Sequence, residues 1–143
     1  LFRLVDMGVP RFMVASSVQA ILAQRLVRRV CESCSEPHTP NVQEAEWFAN
    51  EGMQNGDYGK LLHGRGCSHC NGSGYFGRLA VYEMLEMNQA IADAAAHENS
   101  GHFMEVARAH LKGKTLLDAA IKEMKLGITT VAEVMRITNQ VED

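Results

Sequence analysis

Apolar and polar positions divide the first thirty residues into a turn and one long periodic segment. The turn is Gly8-Val9-Pro10, which interrupts any element that precedes it. Beyond it, apolar residues recur at helical spacing, and arginines fill the last turns, where cations suit the helix dipole. The pattern predicts a helix over about residues 14–29, with the apolar stripe Val14, Val18, Ile21, Leu22 and Val27.

Residues 31–77 differ in character, because they hold most of the glycines and two of the three prolines. One stretch, about 42–50, has a helical pattern and contains Trp47 and Phe48. A segment with so few apolar residues cannot be held together by burial alone. Another source of stability is expected here.

The remainder is predicted to be one strand followed by helices. The bulky apolar residues Val81, Tyr82 and Leu85 favour a strand over residues 78–87 that returns to the core. Asn88 begins a helical pattern that continues to the end of the chain. The predicted helices cover about 88–98, about 101–112, the interval between Thr115 and Gly127, and a last segment opened by the capping box Thr130–Glu133. Met84, Met87, Met104, Met124 and Met135 are expected to pack in the core.

Composition excludes several classes of protein. With 46% apolar and 22% charged residues the chain is typical of a soluble globular protein. No apolar run approaches the roughly 20 residues that span a bilayer. Because the first residue is Leu1 rather than Met, we interpret the chain as a piece of a longer protein.

Charge is distributed unevenly along the chain. Residues 1–30 carry five arginines against one acid, whereas residues 32–59 carry six acids and neither Lys nor Arg. A pI near 6.1 argues against a nucleic-acid partner, which would favour a sustained basic surface. The early arginines are therefore interpreted as a solvated helix face.

The four cysteines carry the clearest chemistry. They form two Cys-x-x-Cys pairs, Cys31 with Cys34 and Cys67 with Cys70. Two such turns brought together present four thiolates in the tetrahedral arrangement that Zn²⁺ prefers. A structural zinc site contributes roughly 10–16 kcal/mol, which exceeds the about 3–4 kcal/mol that closing the intervening loop costs. We therefore predict a structural zinc site with these four cysteines as ligands.

Other readings of the cysteines and glycines stay open at this point. The cysteines could form disulfides or a redox pair, or one thiolate could be replaced by His38, His63 or His69. Residues 72–77 match the dinucleotide-binding pattern G-x-G-x-x-G, but a strand rather than a helix is expected to follow. The unit Cys67-x-x-Cys70-x-Gly72-x-Gly74 also has the form found in the zinc domains of Hsp40-class chaperones, which repeat it four times.

Five segments together resemble one family, the ATPases of type II secretion and type IV pilus assembly. They are residues 4–17 (LVDMGVPRFMVASS), 22–31 (LAQRLVRRVC), 66–78 (GCSHCNGSGYFGR), 80–83 (AVYE) and the closing stretch 117–138. The resemblance covers nearly the whole chain. The tetracysteine insert is typical of assembly and secretion members and is usually missing from retraction motors.

The resemblance implies an α+β fold, mainly α, with four parts. They are residues 1–30 as the last part of a RecA-like ATPase domain, 31–77 as a tetracysteine zinc subdomain, 78–87 as a returning strand, and 88–143 as a C-terminal helical subdomain. It also implies that Cys31, Cys34, Cys67 and Cys70 are the zinc ligands. No catalytic or nucleotide-binding residue of the family matches a position here, so ATP and Mg²⁺ would belong to the part of the longer protein that precedes this chain.

Members of this family are cytoplasmic hexameric motors that dock on inner-membrane platform proteins. The first hypothesis is therefore a C-terminal fragment of such a motor, without ATPase activity of its own. The alternative is a chaperone-like zinc module that binds unfolded polypeptide. A zinc-ribbon module for nucleic acid is a third hypothesis, disfavoured by the acidic segment 32–59.

Overall fold

The computed structural model describes residues 2–53 and 58–141, and its fold is α+β. The helices are α1 (Phe2–Asp6), α2 (Arg11–Ser17), α3 (Val42–Asn50), α4 (Gln89–Ala96), α5 (Ser100–His110), α6 (Leu116–Lys125) and α7 (Val131–Val141). The strands are β1 (Ala20–Val30), β2 (Ser35–Pro37), β3 (Leu62–Gly64) and β4 (Tyr75–Glu86). Strand β1 pairs with β4, and β2 pairs antiparallel with β3.

The helix predicted over 14–29 is wrong. Helix α2 ends at Ser17, and the following residues form strand β1. Leu22, a member of the predicted apolar stripe, is 60% exposed. The β-branched members of the segment favour extended backbone, and twelve-residue β4 supplies a partner strand. That partner lies far along the chain, so local periodicity could not reveal it.

The described residues fall into two compact units. One contains residues 2–24 and 82–115, and the other contains residues 25–53, 58–81 and 116–141. The core of the first unit is Ala15, Leu85, Ile91, Ala94, Ala95, Phe103 and Ala107. The core of the second unit is Val27, Phe48, Leu61, Val81, Leu116, Ala120, Met124, Val131, Val134 and Ile137.

Residues 88–143, which were expected to form one helical subdomain, are divided between the two units. Helices α4 and α5 belong to the first unit, whereas α6 and α7 belong to the second. The reason is that the cysteine-containing segment has few apolar residues of its own. Its Phe48 and Leu61 are buried against Met124, Val134 and Ile137, so the last two helices supply the core that residues 31–77 lack.

Local capping confirms the predicted helices in this part of the chain. The Asn88 side chain accepts a hydrogen bond from the Ile91 N–H and begins α4. Asn41 caps helix α3, because its side chain and backbone exchange hydrogen bonds with Glu44 in a complete capping box.

The prediction that the methionines pack in the core holds only in part, since Met124 is fully buried but Met84 and Met104 are 50% and 45% exposed.

Candidate metal centre

The four cysteines lie at the ends of paired strands in the second unit. Cys31 directly follows β1, Cys34 directly precedes β2, and Cys67 and Cys70 lie between β3 and β4. Pairing of β2 with β3 brings Ser35 opposite Gly64, which sets the two Cys-x-x-Cys turns side by side. The register of β2 against β3 therefore brings the two Cys-x-x-Cys pairs together, although they are far apart in sequence.

The sulfur positions fit a tetrahedral site. The Sγ–Sγ distances are 3.8 Å for Cys31–Cys67, 3.9 Å for Cys34–Cys70 and 3.7 Å for Cys67–Cys70. All four sulfurs lie within 4.8 Å of one another. Tetrahedral Zn²⁺ with Zn–S bonds of about 2.3 Å requires sulfurs about 3.8 Å apart. The distances are too long for disulfides, whose S–S bond is about 2.05 Å, and all four cysteines are free thiols.

Backbone N–H groups point at the sulfurs. Gly66 donates to Cys34 Sγ at 3.3 Å, and Cys70 Sγ accepts from Cys67 at 3.3 Å and from Gly74 at 3.2 Å. Burial raises the pKa of the Cys34 thiol to about 11, against the single Gly66 donor. Burial also raises that of Cys70, but the Cys67 and Gly74 donors outweigh it and lower its pKa to about 6. The backbone donors therefore favour the thiolate at Cys70, whereas burial disfavours it at Cys34.

Two glycines allow the backbones of the turns to approach closely. A Cβ at Gly64 would collide with the carbonyl oxygen of Gly74, and a Cβ at Gly74 would collide with that of Gly64. Gly74 also has φ +82°, in the left-handed region. Gly74, the middle glycine of the apparent G-x-G-x-x-G pattern, thus serves the cysteine turn, and strand β4 rather than a helix begins at Tyr75.

Alanine at Gly74 is expected to destabilise the second unit by about 3 kcal/mol or more, because left-handed strain and a backbone collision add together. Gly72 is the matched control, since its φ is +79° but a Cβ there meets nothing within 4 Å. Gly72→Ala should therefore cost only about 1–2 kcal/mol. Denaturant unfolding at saturating zinc measures both, and equal losses would contradict the close approach.

The histidines considered as substitute ligands lie elsewhere. His38 and His63 contact each other and two glutamates, outside the cluster of four cysteines. The His69 ring packs on Phe76 with centroids 4.1 Å apart. Among the residues that the structure describes, the four cysteines are the one group of three or more potential ligands.

An ion pair in the same unit, in which a buried glutamate meets two half-exposed arginines, was not predicted from the sequence. The Glu133 side chain is 1% exposed and accepts hydrogen bonds from Arg28 N at 2.8 Å, Arg28 Nη2 at 2.9 Å and Arg136 Nη2 at 2.9 Å. Thr130 Oγ1 accepts from the Glu133 N–H, so half of the predicted capping box forms. The carboxylate also joins α7 to β1, because it pairs with Arg28, whose side chain is 51% exposed. The sequence signal that singled out Glu133 was the Thr-x-x-Glu spacing, which predicted a capping box and not an ion pair.

No helix in the described ranges, 2–53 and 58–141, is both long and apolar enough to cross a membrane.

Sequence comparison places the chain among known proteins. Residues 1–136 match the family model described as type II/IV secretion system protein. The chain is 36% identical over 138 residues to type II secretion system protein E of Pseudomonas aeruginosa. It is 33% identical over 140 residues to type II secretion system ATPase E of Vibrio cholerae. It is 37% identical over 141 residues to the type IV pilus assembly ATPase PilB of Pseudomonas aeruginosa. Each match covers 96% of this chain but only 27%, 27% and 24% of the relative.

Proposed function

The chain belongs to the type II/IV secretion system protein family, and we propose that it is the C-terminal part of an ATPase that powers type II secretion or type IV pilus assembly. The observation that carries the proposal is a match over nearly the whole chain that includes the four clustered cysteines. The chain spans about a quarter of the length of the curated relatives it matches. The rest of the motor would lie outside it.

Zinc is the metal that this site would hold. Cys31, Cys34, Cys67 and Cys70 would bind it as four thiolates, a donor set that leaves no open position for water or substrate. The ion would supply a cross-link between the two turns, and the backbone donors would stabilise the charge of the sulfurs. Such a site is structural rather than catalytic.

The proposed whole protein is a hexameric cytoplasmic motor that hydrolyses Mg-ATP and reaches the inner membrane through platform proteins. Residues 1–30 would be the end of its RecA-like domain. The cysteine-containing segment 31–77 would contact the platform or a neighbouring subunit, because it is a polar, glycine-rich module that borrows its core from α6 and α7. The chaperone-like alternative is less well supported. Chaperone zinc domains repeat the Cys-x-x-Cys-x-Gly-x-Gly unit four times, and this chain contains it once.

The isolated 143-residue chain is expected to show no ATP hydrolysis at any Mg²⁺ concentration, since its sequence contains no G-x-x-x-x-G-K-[S/T] phosphate-binding loop. Phosphate release from the chain, compared with release from the full-length protein that contains it, measures this. Turnover by the chain at the rate of the longer protein would refute the assignment of catalysis to preceding residues.

A further inference from the structure

Four polar side chains of the second unit form a connected row of contacts beside the paired strands β2 and β3. Glu36 Oε1 lies 2.8 Å from His63 Nε2, and Glu44 Oε1 lies 2.8 Å from His38 Nε2. The two histidines face each other through their remaining nitrogens, with Nδ1 atoms 3.1 Å apart. Strand register places Glu36 directly opposite His63, so the arrangement follows from the sheet.

With both carboxylates ionised, the hydrogen-bonding capacities of the four side chains require a proton or a metal ion between the two Nδ1 atoms. An ionised carboxylate only accepts, so both Nε2 atoms must donate. Glu44 Oε1 also accepts from the Asn41 N–H, as expected of a carboxylate oxygen. A neutral imidazole carries one N–H, and when that hydrogen is on Nε2 the Nδ1 atom presents a lone pair. Two lone pairs would then face each other at 3.1 Å, which is repulsive without a proton or a metal ion between them.

We propose that His38 and His63 form a second metal site, which binds a divalent transition-metal ion through both Nδ1 atoms. Imidazole suits Zn²⁺, Cu²⁺ and Ni²⁺. With metal–nitrogen bonds of about 2.0–2.1 Å, the observed separation gives an N–metal–N angle of about 100°, between square-planar and tetrahedral values. The site is separate from the four thiolates and would be the weaker of the two, because the chain supplies only two ligands.

Three further features favour a metal ion. Each ring is held by a carboxylate on its far nitrogen, the arrangement that orients metal-binding histidines. Glu36 and Glu44 each lie 2.8 Å from a ring, so a cation held between the rings would be attracted to both carboxylates. The His38 and His63 side chains are 24% and 36% exposed, so water can reach the two rings and supply further ligands.

The test is a calorimetric titration of Zn²⁺ into the chain, with imidazole ¹⁵N spectra recorded before and after the second equivalent. We expect the purified chain to hold one equivalent on the thiolates already and to bind a second more weakly, shifting the Nδ1 resonances of His38 and His63 together. His63→Gln should abolish the second event and keep the first. Glu36→Gln should weaken the second by about 10–100-fold, because it loosens the ring orientation.

His110→Gln is the matched control, since His110 is an exposed histidine on α5 that contacts the Val106 carbonyl. It should leave both binding events unchanged. A missing second equivalent, or one that survives in His63→Gln, would overturn the proposal. So would spectra in which Zn²⁺ leaves both Nδ1 resonances in place, because a proton would then fill the gap. Failure of the first equivalent would instead contradict the thiolate site, and the two failures are therefore distinguishable.

Discussion

Replacing Cys31 and Cys34 by serine is expected to abolish tight zinc binding and to unfold the unit that contains Arg25–Val81. Zinc in a structural thiolate site contributes roughly 10–16 kcal/mol, whereas a domain of this size has a free energy of unfolding of only about 5–15 kcal/mol. The segment between the cysteines has little core of its own, since it relies on helices α6 and α7 for burial. The free energy lost with the zinc cross-link should therefore exceed the free energy of unfolding of this unit.

Metal content and thiol reactivity measure this effect directly. The purified chain should hold one tightly bound Zn²⁺, and its thiols should react only after chelation, together with loss of near-UV and amide signals from the second unit. Ser33→Ala and Ser68→Ala are matched controls, because both exposed serines lie within the same turns but bind no metal in this interpretation. A chain that keeps its structure and thiol protection without metal would contradict the site.

The same cysteine substitutions test the proposed role in the full-length protein. Secretion or pilus assembly should be lost in the cell, while Ser33→Ala keeps it. Full function with the zinc lost would show that the cysteine-containing segment is dispensable for the motor.

The second large effect is expected at Glu133, whose substitution by glutamine should destabilise the second unit by about 2 kcal/mol at pH 7. Burial opposes ionisation of this carboxyl, but hydrogen bonds from Arg136 and Arg28 outweigh it and lower its pKa from 4.5 to about 2. That shift corresponds to about 3 kcal/mol. The Arg28 and Arg136 side chains are 51% and 41% exposed, so solvent screening reduces the figure.

The pH dependence follows from the direction of the shift. A carboxyl whose pKa is lower in the folded state contributes stability that is present above pH 4.5 and is lost as the pH falls toward about 2. Between pH 4.5 and about 2, the free energy of unfolding of the native chain should therefore fall with decreasing pH more steeply than that of Glu133→Gln. Glu46→Gln on α3 is the control, because Glu46 is exposed. An acid transition identical in the native chain and Glu133→Gln would refute the role of the ion pair.

Features that depend on neighbouring residues were predictable from the sequence. Asn88 caps α4 through the Ile91 N–H, three residues away, and the stretch about 42–50 forms α3 as its pattern indicates. The Cys-x-x-Cys pairs were recognisable for the same reason, since each pair lies in one tight turn. Family membership followed from the order of these local motifs, and the comparisons confirm it.

Features that depend on distant partners were not predictable. Segment 20–30 satisfied a helical period over a few turns, and only β4 made it a strand. Glu133 looked like a capping residue because its partner Arg28 lies 105 residues away. The His38–His63 contact likewise depends on the register of β2 against β3.

The sequence by itself determined the four-cysteine motif, the capped helices and the family, because turn geometry, caps and motif order depend on residues close together in the chain. Tertiary structure alone decided that β1 is a strand, that α6 and α7 complete the core of the cysteine-containing unit, and that Glu133 and the two histidines meet their partners. Strand pairing and burial join segments that are far apart in sequence. The local pattern of residues does not identify which distant segment will pair with or bury another.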